Sequence, residues 1–160
     1  MTIPSRSTRE RIEVLMDALD YQELGEIYCD QGGTDFWIAK RREVVSLGFL
    51  WAQSLARRLA TSGRSLYAGA GVAELPAMLT EVFDLNRSVV AANLRERECL
   101  SLNRSLEAVG LGAELQYRNA DAGSLGDKGP FDHLCAVCLL DDPETFWQAV
   151  HAWLFMATAP

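Results

Sequence analysis

No apolar run in this chain is long enough to cross a membrane, which takes about 20 consecutive apolar residues. The segment from Met1 to Arg11 is polar and lacks the apolar core of a secretory signal. Positive charge is also in short supply. Fifteen Lys and Arg stand against 22 Asp and Glu, giving a net charge of −7 and a pI near 4.8. That balance repels phosphate backbones and disfavours nucleic acid as a partner. One stretch runs the other way: Lys40, Arg41, Arg42, Arg57, Arg58 and Arg64, which reads as a solvated helix face. Internal repeats and low-complexity tracts are absent, and histidine is limited to His133 and His151. These absences lead to an expected cytoplasmic location, where Cys29, Cys99, Cys135 and Cys138 would be reduced thiols.

What is present fits a globular protein. The chain has 160 residues, 49% of them hydrophobic, enough for one substantial core. Its character changes near Ser62-Gly63. Residues 1–62 read as a helical extension or cap. Ile12, Leu15, Met16 and Leu19 recur at helical spacing within Arg6–Leu19, and a short helix over Tyr21–Cys29 precedes the break at Gln31-Gly32-Gly33. Thr34 or Asp35 can cap a long helix to about Leu59.

Residues 63–160 alternate strands with helices. Ser65–Ala68 reads as a strand, Ala73–Phe83 as a helix, Ser88–Ala92 as a second strand and Arg95–Val109 as a second helix. Glu114–Arg118 alternates polar and apolar residues as a third strand. In Phe131–Leu140 the unbroken apolar run from Leu134 predicts a parallel strand buried on both faces. Asp142-Pro143-Glu144 then starts a helix. Connections of this length imply parallel strands with right-handed helical crossovers, in the order third, second, first, fourth.

Between the first strand and its helix lies a glycine-rich turn, Gly69-Ala70-Gly71. Such a turn lets a ligand approach the backbone, and the helix beyond it offers free N–H groups. Spacing narrows the ligand. A dinucleotide fingerprint wants glycine where this chain has Glu74, and a carboxylate there opposes a pyrophosphate, which leaves a nicotinamide-dependent oxidoreductase a distant third reading.

Leu66-Tyr67-Ala68-Gly69-Ala70-Gly71-Val72-Ala73 resembles the first motif of the class I S-adenosylmethionine-dependent methyltransferases, an acidic residue followed by x-G-x-G-x-G. Val89–Asn93 resembles that family's second strand, Asn119-Ala120-Asp121-Ala122 the loop after the third, Phe131-Asp132-His133-Leu134 the start of the fourth, and Asp141-Asp142-Pro143 the loop after it. The resemblance runs roughly from Gly63 to Pro160. It implies an α/β, Rossmann-like, mainly parallel sheet that binds S-adenosylmethionine and delivers a methyl group to a small-molecule or protein acceptor. It further implies a cofactor site of Gly69, Ala70 and Gly71 with Asn93 and Leu94 at the ribose, Asp121 and Ala122 at the adenine, and Glu74 or Asp141 at the ammonium end. Tyr67 and Asn93 stand where the family carries acids, so Asn93→Asp is expected to strengthen binding.

The resemblance also implies strands beyond Pro160 that a seven-stranded sheet would need. The expected explanations are a fragment, a domain completed by a partner or by self-association, or a degenerate copy. No catalytic residue is named, because methyl transfer needs mainly alignment of the acceptor with the methyl group. The second reading, which Tyr67, Asn93 and the expected early end favour, is an inactive methyltransferase-like interaction or scaffold module.

Other constellations point elsewhere. Cys135 and Cys138 lie three apart on a strand, so they face opposite ways and cannot share a metal; no metal site is expected. His133 sits at the start of its strand, away from the ligand-binding ends, and His151 reads as a surface residue. Trp37, Trp51, Trp147 and Trp153 read as core or interface anchors, and the resemblance implies that Trp37 lies in the N-terminal region that covers the cofactor.

Overall fold

A computed structural model describes residues 5–27, 46, 48–54, 57–121, 124 and 130–136. Four strands form one parallel sheet: β1 (Arg64–Ala68), β2 (Ser88–Asn93), β3 (Leu115–Asn119) and β4 (His133–Ala136), in the spatial order β3-β2-β1-β4. This is the order expected from the crossovers. Helices α1 (Ser5–Asp17) and α2 (Tyr21–Ile27) precede the sheet, α3 (Leu75–Leu85) joins β1 to β2, and α4 (Glu96–Ala108) joins β2 to β3.

Side-chain parity divides the sheet into two faces. Tyr67, Val89, Ala91, Leu115 and Tyr117 face one core with Ile12, Met16, Leu24, Met78, Leu79, Leu102 and Leu106 from the helices. Leu66, Ala68, Val90 and Ala92 face the other, with Phe131 and Leu134. Helix α1 ends at Asp17, two residues before the expected end at Leu19; Ile12, Leu15 and Met16 form its buried face, and Leu19 just beyond it joins the same core. The N-terminal helices thus share a core with the α/β part. The helical residues 48–54 join them closely: a Cβ on Gly48 would lie 2.6 Å from Pro76 Cβ, so only glycine allows this approach to α3.

Helix α3 begins and ends two residues later than the expected Ala73–Phe83. Pro76 sits in its first turn, and Asn86 closes it in the left-handed region at φ 52°, with the Arg87 N–H returning to the Glu81 carbonyl at 3.2 Å. Helix α4 is fixed to the sheet edge by Asn103. Its Oδ1 accepts from the Tyr117 N–H and its Nδ2 donates to the Tyr117 carbonyl, both at 2.8 Å. The amide stands in for a neighbouring strand and closes the outer edge of β3 at that residue.

The cysteines in view behave as core residues. Cys99 and Cys135 are free thiols, pushed up by burial to about 11 and about 12 respectively, so neither is a ready thiolate. Among the described residues no cluster could hold a metal and no helix is long and apolar enough to cross a membrane. Cys29, Cys138, His151, Trp37, Trp147 and Trp153, with the expected long helix before residue 46, the later half of the fourth strand and the Asp142 helix, lie outside the described residues.

Candidate functional site

At the carboxyl ends of β1 and β2 the chain turns sharply. Gly69 (φ 74°) and Ala70 donate their N–H groups to the Ala92 carbonyl at 2.9 and 3.1 Å, carrying the sheet pairing one step past β1. The positive φ is the reason glycine is needed there. Gly71 then directs its N–H to Glu74 Oε2 at 2.7 Å, and its carbonyl accepts the Tyr117 hydroxyl at 2.8 Å. The loop is therefore held by a side chain from each flank, which preorganises its shape.

Glu74 is buried, and desolvation raises its pKa; the Gly71 N–H opposes this and the nearby Glu98 charge reinforces it. This carboxyl group holds the turn from the N-cap position of α3.

At the end of β2, Asn93 is fully engaged as a donor. Its Nδ2 donates to the Ala70 carbonyl at 3.0 Å and to Glu98 Oε2 at 2.9 Å. Its Oδ1 accepts the Arg95 N–H at 2.8 Å. Leu94 follows, 76% exposed. Glu98, in the first turn of α4, is completely buried, and its second oxygen, Oε1, is buried without any hydrogen-bond partner. Most buried polar atoms are satisfied, and leaving one unsatisfied costs roughly 1–3 kcal/mol, more if it is charged.

Of the residues expected at a cofactor, the structure brings Gly69, Ala70, Gly71, Glu74 and Asn93 together at this turn, with Leu94 beside them. Asp121 is exposed in the turn after β3, its carbonyl accepting from the Ser124 N–H (3.0 Å) and hydroxyl (2.8 Å). Ala122 and Asp141 lie outside the described residues. Tyr67 is present only through its backbone. Its side chain is fully buried, its hydroxyl donates to Glu81 Oε1, and burial drives its pKa far above the usual phenol range. Residue type alone did not reveal Glu98 or Tyr117. An acidic residue in the first turn of a helix reads as a match to the helix dipole, and Tyr117 as ordinary core.

The opposite ends of the strands carry a different cluster. Arg87, whose side chain is fully buried, directs all its N–H groups to oxygen. Nε reaches Ser65 Oγ and Glu81 Oε2, both at 3.2 Å; Nη1 reaches the carbonyls of Ala60 and Ser62 and Asp132 Oδ2; Nη2 reaches Ser65 Oγ at 3.0 Å and Asp132 Oδ1 at 2.5 Å. The Ser65 hydroxyl donates to Glu81, and His133 Nδ1 lies 3.2 Å from Ser65 Oγ and 3.3 Å from Glu81 Oε1. Burial alone would raise Glu81, but hydrogen bonds from His133, Ser65 and Tyr67 outweigh it and leave its pKa lowered. The Arg87 hydrogen bond lowers Asp132 in the same way. His133 is thus far from the turn, as its place at the start of β4 implies.

No protein-family model matches the sequence, and no curated protein matches it significantly. Solved structures do. MtNAS in complex with MTA and tNA is similar with a TM-score of 0.57 at 14% identity, over 91% of this chain and 50% of that one. TrmN from Thermus thermophilus has a TM-score of 0.53 at 22% identity, over 73% and 38%. YjhP from E. coli has a TM-score of 0.51 at 16% identity, over 71% and 43%. These structures share the fold of this chain, a parallel sheet with helical crossovers. Identities this low speak to fold and not to activity. The chain spans half or less of the length of each of these structures.

Proposed function

We propose that this chain is the S-adenosylmethionine-binding part of a methyltransferase, cytoplasmic, acting on a small molecule or a protein. The observation that carries the reading is the position of the glycine turn. It closes β1, whose neighbours β2 and β4 lie on opposite sides, and ligands of open α/β sheets bind outside the carboxyl ends of strands at such a switch point. The residues fit an adenosyl ligand in two ways. Gly69 and Gly71 keep side chains out of the approach to the backbone, and the unpartnered Glu98 Oε1 is an acceptor waiting for a donor.

In this reading S-adenosylmethionine supplies an activated methyl group. The chain's own residues bind and orient: the turn sets the ligand's depth, Asp121 lies toward the adenine, and Glu74 or Asp141 faces the ammonium end. The acidic balance of the chain speaks against a nucleic-acid acceptor. A second copy or a partner chain completing the sheet belongs to the same proposal, since among the described residues β4 pairs on one side only, with β1.

A second reading, an inactive interaction module, draws on Tyr67 and Asn93. The hydroxyl of one and both N–H groups of the other are engaged within the protein. Calorimetric titration with S-adenosylmethionine and S-adenosylhomocysteine separates the two. Saturable binding of either ligand is expected; no heat at millimolar ligand leaves the fold without the function.

A further inference from the structure

We infer that a cleft between α1, the end of α3 and the turn into β3 binds a small amphipathic carboxylate, its apolar chain in the cleft and its carboxylate on Arg11. The inference is independent of the cofactor reading. Phe83 of this cleft shortly precedes β2 and Leu111 shortly precedes β3, so the site lies toward the amino ends of the strands. None of the residues of the glycine turn lines it.

The cleft has a volume of about 350 Å3, walled by Val14 and Leu15 of α1, Phe83 of α3, and Val109 and Leu111 after α4. Sites for small molecules begin near about 300 Å3, and their lining is mainly apolar with a few polar groups that fix orientation. Local structure explains why this surface is open. Helix α1 turns Ile12, Leu15 and Met16 into the core, and Val14, off that stripe, stays 66% exposed. Gly110 ends α4 in the left-handed region at φ 77°, and the Leu111 N–H closes onto the Leu106 carbonyl at 2.9 Å. That tight turn brings both Val109, 47% exposed, and Leu111 to the cleft wall. Exposed apolar side chains gathered in a concave patch mark a binding surface more often than scattered ones do.

Arg11 supplies the polar end. Its guanidinium lies over the Phe83 ring, 3.7 Å from the centroid. Such stacking uses the flat face of the group and leaves its N–H donors free in the plane. Among the described residues no carboxylate pairs with Arg11, whereas Arg9, half a turn earlier, is held by Glu13 at 2.9 Å. Glu10 also lines the cleft, but it is not a free carboxylate. An apolar cleft that ends in an unpaired guanidinium is complementary to a molecule with an apolar body and one carboxylate, because planar N–H donors match carboxylate oxygens. A neutral chain leaves the donors unused, and an ammonium group is repelled by them. The volume suits one short alkyl chain.

The test titrates octanoate, octanol and octylammonium calorimetrically into the wild-type chain, Arg11→Leu and Val14→Asp, and follows octanoate by amide nuclear magnetic resonance. Wild type should bind octanoate at least tenfold more tightly than octanol or octylammonium. Arg11→Leu should lose that preference while binding octanol about as wild type does, and Val14→Asp should weaken octanoate at least fivefold. Amide shifts should move at Val14, Phe83, Val109 and Leu111 and stay fixed at Gly69 and Gly71. No saturable binding of octanoate by wild type, equal affinity for octanoate and octanol, undiminished binding by Arg11→Leu, or shifts confined to the glycine turn overturns the inference. Arg11 and Val14 are both exposed, so folded variants are expected; if one does not fold, the wild-type ligand preference and the shift map decide the matter without it.

Discussion

The two ends of strands β1 and β2 hold polar clusters of similar size and opposite character. At the amino ends, Arg87, Ser65, Glu81 and Asp132 satisfy one another. Every guanidinium N–H has an acceptor, and two carboxylates titrate below their usual range because they are well partnered. At the carboxyl ends, Glu74 is raised by burial and Glu98 keeps an oxygen without a partner. The contrast separates a cluster whose hydrogen bonds are complete from one that keeps an acceptor to spare, the end at which the ligand is proposed to bind. Proteins of this architecture bind at the carboxyl ends of strands, and here that is the end where hydrogen-bonding capacity is left over.

The comparison can be broken most forcefully at the amino ends. Arg87→Ala removes the cation between two carboxylates and leaves Glu81 buried beside Tyr67. Breaking such a buried pair typically costs about 3–5 kcal/mol, so urea unfolding should show a loss of that size or no folded protein. Loss below about 1 kcal/mol would mean that the cluster is not what joins β1, β2 and β4. Gly63→Ala should cost less, about 1–3 kcal/mol. Gly63 has φ 124°, and a Cβ there would lie 2.4 Å from Asp132 Oδ2. The same denaturation measurement would show it, with ligand affinity unchanged.

At the carboxyl ends a smaller change sharpens the contrast. By the family resemblance alone, Asn93→Asp supplies an acid at the strand end and should tighten binding of the proposed cofactor. The geometry reverses the sign. An aspartate there loses both donated N–H bonds and sets a carboxylate against the Ala70 carbonyl and Glu98. The expected outcome is about 1–2 kcal/mol lower stability and weaker binding, read by thermal unfolding and calorimetry.

Acid should act on the two ends in opposite directions, with the smallest effect of the set. Glu74, raised in the folded state, weakens the fold while it is ionised, so its contribution improves as pH falls through its folded pKa toward the ordinary carboxylate range near 4.3. Glu81 and Asp132 are lowered. Their contribution is present above the unfolded carboxylate pKa and is lost as pH falls through the folded values, below about pH 4. Acidification should therefore first raise thermal stability as Glu74 protonates and then lower it as Glu81 and Asp132 do, with the Ser65 and Arg87 amides protected from exchange until that second step.

Much of the fold was legible in the sequence because its signals are local. Strand and helix periodicity, the Gly69–Gly71 turn and the crossover lengths were enough for four parallel strands in the right order. The third strand lies at Leu115–Asn119, one residue later than the alternation over Glu114–Arg118 suggests, because the Glu114 N–H closes a turn onto the Leu111 carbonyl. The amino-end cluster was not legible. Its members are brought together over 6 to 68 residues, and no spacing rule links Arg87 to Asp132. The candidate site was legible as a location and less so in its chemistry. Motif alignment puts Tyr67 and Asn93 in acidic positions, but the parity of β1 sends the Tyr67 side chain to the helix-covered core with Ser65, and the turn into α4 engages Asn93. Glu98, five residues later, carries no motif at all.

Hydrogen exchange with and without saturating S-adenosylhomocysteine, followed by mass spectrometry at single-residue or short-peptide level, tests the division between the two ends most directly. Slowed exchange is predicted across Gly69–Glu74 and Asn93–Glu98, with Ser65, Glu81, Arg87 and Asp132 unchanged because their hydrogen bonds are already complete. Protection that appears equally at both ends, or at the amino ends alone, would contradict the account.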